Sequence, residues 1–159
     1  MTIKPGLVMI SSLLLSCGNN SHQGKTSADL QGTWQLISGT IIENGDTTTT
    51  DYTNINPMIK IINGTHFAFL NHDLLKGKDS TALFTAGGGR YELNGDQYTE
   101  HLEYCSDRAW EGNDFQFTVK IQNDTLTQRG IEKIENLEMN RLNIEKYIRV
   151  RALNQNNKF

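Results

Sequence analysis

Residues 82–105 read Ala-Leu-Phe-Thr-Ala-Gly-Gly-Gly-Arg-Tyr-Glu-Leu-Asn-Gly-Asp-Gln-Tyr-Thr-Glu-His-Leu-Glu-Tyr-Cys, and no other stretch limits the fold as strongly. Two alternating runs flank Asn94-Gly95, a dipeptide that tolerates the positive φ required at both central positions of a tight hairpin turn. With those two residues as the loop, Leu93 faces Asp96, Tyr91 faces Tyr98, Gly89 faces Glu100 and Gly87 faces Leu102. One side of the hairpin then carries Leu93, Tyr91, Tyr98, Leu102 and Tyr104 with a single carboxylate, Glu100. The other side carries Arg90, Glu92, Gln97, Thr99, His101 and Glu103, which suits water. A sheet with one aromatic and one charged face must cover the first, either by curling on itself or by packing on a second sheet.

The 159 residues carry a net charge of -3, and the basic residues are scattered, which argues against a nucleic-acid partner. One domain is the natural count, large enough to hold a core without disulfides. Residues 1–16 stand apart from it: Lys4 supplies a positive start, residues 6–15 form an uncharged apolar run of signal-peptide length, and Cys17 follows Leu14-Leu15-Ser16. Residues 17–29 are small and polar and read as a tether, residues 30–151 as the folded unit, and residues 152–159 as a polar, disordered tail. Cys105 is expected to be a buried apolar residue.

Within the folded unit, residues 114–122 alternate most cleanly, with Phe115, Phe117, Val119 and Ile121 on one face. Residues 43–56, including the run Thr47 to Thr50, read as an exposed polar loop. Residues 58–62 and 66–70 form a second hairpin around Asn63-Gly64. A three-residue loop over 62–64 collects Ile59, Ile61, Phe67 and Phe69 on one face, and burial favours that register over the one that sets Lys60 opposite Phe67. It leaves Lys60 and His66 outward. Residues 131–140 read as a solvated connection with at most one helical turn. In the last strand, residues 142–151, Ile144, Ile148 and Val150 share one face with Lys146, while Glu145, Tyr147, Arg149 and Arg151 share the other. Periodicity alone favours the aliphatic face inward. Trp110, in the loop 106–113, either anchors a lid over a barrel mouth or caps the core rim.

Gly32-Thr33-Trp34 at the first strand resembles the Gly-x-Trp signature of lipocalins and fatty-acid-binding proteins, and Leu14-Leu15-Ser16-Cys17 resembles a bacterial lipobox. Tyr98-Thr99-Glu100 and Tyr147-Ile148-Arg149-Val150 are similar to segments of the small lipocalin-like lipoproteins of diderm bacteria, within the calycin superfamily. The resemblance implies an all-β, antiparallel up-and-down barrel of about eight strands. It also implies a lipid anchor at Cys17 after signal-peptide cleavage, with Gly18 leaning toward the outer membrane. Such barrels often stack a closing-strand Arg on the first-strand Trp, which implies Arg149 over Trp34 with the polar face of the last strand inward.

The expected function is that of a monomeric, lipid-anchored envelope protein holding a small, largely apolar ligand in the lumen. Phe67, Phe69, Tyr91, Tyr98, Glu100, Leu102, Tyr104, Phe115, Phe117 and Val119 are the expected lining. Glu100 on that face needs a partner, which points to a ligand donor or an internal Arg. No nucleophile and base can be paired, so catalytic residues, metal and cofactor are not expected. The competing expectation is a filled barrel acting as a protein-interaction module, an inhibitor or an assembly factor.

Overall fold

The computed structural model describes residues 27–55, 57–80 and 82–151. The expected signal peptide, Cys17, the tether as far as residue 26 and the tail at 152–159 lie outside the described residues. A helical turn, α1 (Ser27–Leu30), leads into β1 (Gly32–Glu43), and the strands β2 (Asp46–Asp51), β3 (Met58–Ile62), β4 (His66–His72) and β5 (Phe84–Asn94) follow. Then come β6 (Gln97–Leu102), the short β7 (Tyr104–Cys105), β8 (Asn113–Gln122), β9 (Thr125–Ile134) and β10 (Met139–Arg149). The chain is all-β, as the alternating patterns require.

β1, β3, β4, β5, β6, β8, β9 and β10 follow one another in antiparallel order, and β10 pairs back onto β1. That last pairing runs from Trp34 opposite Arg149 to Ile42 opposite Leu142 and closes an eight-stranded barrel. Closure satisfies strand edges that an open meander would leave unpaired. The opposite edge of β1 is shared: Gly32 to Gln35 pair with β3, and Ser38 to Glu43 pair with β2. The run of threonines is therefore a strand, not the loop expected from its polarity. Asn44 and Gly45 both take positive φ, the turn that joins two twisted strands, and threonine suits an extended backbone. Likewise residues 131–140 continue β9 and open β10, with only a 3₁₀ turn at Glu135–Leu137 between them.

Both Asn-Gly hairpins are displaced from their expected registers. Asn94 pairs with Gln97, so the loop is Gly95-Asp96, and Tyr91 faces Glu100. This two-residue change keeps the expected faces of β5 and β6. In the other hairpin Ile62 pairs with Phe67 and Lys60 with Phe69, while Asn63 Oδ1 accepts from the backbone N–H groups of Thr65 and His66 at 2.8 and 2.7 Å. That side-chain turn sets neither expected register, since Lys60 faces Phe69 rather than Phe67, but it turns the strand to the face that burial disfavours: Lys60 is inside at 2% exposure, and Ile61 is outside at 41%.

One end of the barrel is sealed. Arg149 lies over Trp34 with its guanidinium carbon 4.0 Å from the ring centroid. The same guanidinium donates to the carbonyls of Gln31 and Asp29, each at 2.7 Å, and Trp34 Nε1 donates to Leu30 O at 2.8 Å. α1 is thus pinned across the barrel floor. The polar face of β10 points inward, with Tyr147 fully buried and Ile148 exposed. Arg149→Ala is expected to lower unfolding free energy by about 2 kcal/mol, from one stacked cation and two charge-assisted hydrogen bonds, and to shift tryptophan emission to the red. Equilibrium denaturation followed by fluorescence reads both; an unchanged midpoint and spectrum would contradict the seal.

Candidate functional site

The open end of the barrel holds a cavity of about 670 Å³. Its apolar wall comes from β3, β4, β6 and β8 through Met58, Phe69, Leu102, Phe115 and Phe117, with Trp110 from the 3₁₀ turn Arg108–Trp110. Strand alternation places each of these inward. Phe69 fits because its neighbour on β5 is Gly87, where a Cβ would stand 2.6 Å from the ring. The Trp110 ring packs on Phe115 with centroids 5.8 Å apart, and Arg141 lies 5.3 Å from the indole centroid. Trp110 is therefore both part of the wall and part of the rim.

The rest of the wall is polar. Lys60 Nζ donates to Glu100 Oε1 at 2.7 Å and to Gln128 Oε1 at 3.0 Å, and sits 5.6 and 5.5 Å from the ring centroids of Phe67 and Tyr147. Glu132 accepts from Asn143 Nδ2 at 2.7 Å and is gripped by Arg141 through Nε at 2.8 Å and a terminal nitrogen at 2.7 Å. Tyr147 donates its hydroxyl to Glu145 Oε2 at 2.8 Å. Tyr98 is fully buried, with its hydroxyl beside the Glu100 carboxylate.

Burial raises the Glu100 carboxyl above its ordinary range, with the Lys60 charge opposing. Burial raises Glu132 as well, against the pull of Arg141. Tyr98 and Tyr147 are pushed well above the ordinary phenol range by burial first, then by the charge of Glu100 on Tyr98 and of Glu145 on Tyr147. Both tyrosines therefore remain hydroxyl donors through the physiological range.

The sequence-based lining divides into three groups. Phe69, Glu100, Leu102, Phe115 and Phe117 line the cavity. Phe67, Tyr98 and Val119 belong to the buried core nearer the sealed end, and half-buried Tyr91 stacks at 5.3 Å on Tyr98 and donates its hydroxyl to Asn63 O. Tyr104 points outward and is 68% exposed. The ladder accounts for this: Tyr91 faces Glu100, yet Gly88 faces Tyr104, so a one-residue bulge between β6 and β7 turns Cys105 inward and Tyr104 out. Glu100 does have an internal cation, but it is Lys60 rather than an Arg.

Lys60, Gln128, Glu132, Arg141, Asn143, Glu145 and Tyr147 escaped sequence reasoning as site residues. The polar face of β10, once set inward by Arg149, was the signal for the last four, since Arg141, Asn143, Glu145 and Tyr147 alternate on one side. No group of three or more His, Cys, Asp or Glu side chains able to hold a metal occurs among the described residues.

These shifts set the pH response of stability. A carboxyl whose native pKa is raised contributes stability below the unfolded-state value and loses it as pH rises, so Glu100 and Glu132 weaken the fold toward neutrality. His101, raised by its bond to Asp114, acts in the same direction at higher pH. Asp51 and Asp73 are lowered by backbone N–H donors from Thr53 and Leu83, and their contribution is lost only as pH falls below the usual aspartate range. The denaturant midpoint is expected to be higher at about pH 5 than at about pH 8 at constant ionic strength; the reverse order would contradict the burial of these carboxylates.

No curated protein matches the chain. Residues 29–158 match the family described as Domain of unknown function (DUF4488), a span that takes in the end of α1 and every strand of the barrel, and the chain therefore belongs to that family.

Proposed function

We propose that the protein is a lipocalin-like, lipid-anchored binding protein of the cell envelope, monomeric, that holds one small molecule inside its barrel. The observation that carries this reading is the cavity of about 670 Å³, large enough for a small ligand and walled by aromatic side chains on one side and hydrogen-bonding groups on the other. A barrel filled for stability alone would have apolar side chains meeting across that space. Charged groups instead occupy positions that aliphatic residues could fill. The ligand accordingly has an apolar body with at least one polar group, more amphipathic than the composition of the hairpins alone implied.

The anchor rests on the lipobox-like Leu14-Leu15-Ser16-Cys17, with the outer membrane of a diderm bacterium as the location. An interaction module remains the second reading, favoured by Leu70 and Tyr104, which expose apolar surface on the outer wall.

Native mass spectrometry of the protein extracted from its own envelope tests both parts. The expected spectrum shows a chain beginning at an acylated Cys17 and carrying a small-molecule adduct, and Leu102→Trp, which fills the cavity, loses the adduct while circular dichroism stays that of a β-barrel. A chain that retains residues 1–16, or an adduct indifferent to Leu102→Trp, would contradict the anchor or the lumen respectively.

A further inference from the structure

The cavity wall is not balanced in charge. Glu100, Glu132 and Glu145 face Lys60 and Arg141, and each cation is already engaged, Lys60 with Glu100 and Arg141 with Glu132. At the exposed rim Arg108 is held by Glu111 at 2.8 Å, and Asp107 accepts from the backbone N–H of Ala109. Inside the rim, Glu145 is left over. Its hydrogen bond comes from the Tyr147 hydroxyl, and among the described residues no Lys, Arg or His nitrogen lies within 4.0 Å of it.

Glu145 lines the cavity beside Tyr147, and its charge opposes ionisation of the groups around it, Glu100, Glu132 and Tyr147.

Resting on the lumen reading above, we infer that the ligand is a cationic amphiphile: an ammonium or similar N–H cation set against Glu145, and an apolar body against Phe69, Phe115 and Phe117. A charge-assisted hydrogen bond from N–H to a carboxylate is about twice as strong as a neutral one. An anionic head group meets the uncompensated carboxylate instead and is repelled. A fatty acid is therefore the wrong cargo, and an alkyl or aryl amine the right one.

The test uses the mature chain, residues 17–159 with Cys17→Ser, titrated calorimetrically at neutral pH with decylamine, decanol and decanoate, which share one tail and differ in head group. Decylamine is expected to bind at least about tenfold more tightly than decanol, and decanoate more weakly than either. In Glu145→Gln the preference for the amine over the alcohol, measured on the same variant, falls to about one. The order of the three probes on the chain with Glu145 intact supplies a readout should Glu145→Gln not fold. Equal affinities for the three probes, tighter decanoate, or an amine preference that survives Glu145→Gln would overturn the inference and leave the lumen reading standing. Binding of none of the three would remove the lumen reading itself.

Discussion

A lysine ammonium and a glutamate carboxylate 2.7 Å apart inside a barrel organise this molecule. Each would be expensive to bury alone, and removal of either partner would leave an uncompensated charge out of water. Together they decide which way β3 faces. With Lys60 inside, Met58 and Ile62 follow it inward, and Ile59 and Ile61 are turned outward. Gln128 of β9 supplies a second acceptor, so three strands that are not hydrogen-bonded neighbours, β3, β6 and β9, meet across the lumen through one ammonium group. The rings of Phe67 and Tyr147 flank it and exclude solvent.

That pair divides the interior into layers. Toward the sealed end Trp34, Tyr98, Val119, Leu126 and Tyr147 form a solid core, capped by Arg149 and α1. Toward the open end the same inward positions carry Glu132, Arg141, Asn143 and Glu145, which cannot be packed on one another as hydrocarbon can. They hold the wall apart by hydrogen bonding to their neighbours, and the cavity is what remains between them and the aromatic side chains of β4 and β8. The arrangement joins stability to recognition: a rigid floor fixes the strands, and a polar wall stands ready for a molecule with complementary groups.

Alternation made the barrel legible in the sequence. Phe115, Phe117 and Val119 announced the inner face of β8, and Gly32-Thr33-Trp34 with Arg149 anticipated the stacked closure. The departures from the sequence reading share a physical origin. Side-chain polarity alone sets Lys60 outside, whereas its charge is met by Glu100 from a strand 40 residues later, a long-range fact that no local pattern carries. Strict alternation sets Tyr104 inside, and only the ladder of β5 with β7 reveals the bulge that turns it out. The polarity of the threonine run suggests a loop, whereas its β-branched side chains suit the strand β2. The candidate site was half legible: its aromatic wall follows from alternation, but its polar wall depends on which face of β10 turns inward, where periodicity and the resemblance pointed in opposite directions.

The most direct test of this account is the ammonium resonance of Lys60 in a ¹H–¹⁵N spectrum selective for lysine side chains. An ammonium held dry between Glu100, Gln128 and two aromatic rings exchanges its protons slowly with water. It should give a resolved signal near neutral pH, shifted by ring currents and showing contacts to the protons of Phe67 and Tyr147. A spectrum in which every lysine ammonium exchanges at the solvent rate would place Lys60 outside the barrel, and the polar lumen would be lost with it.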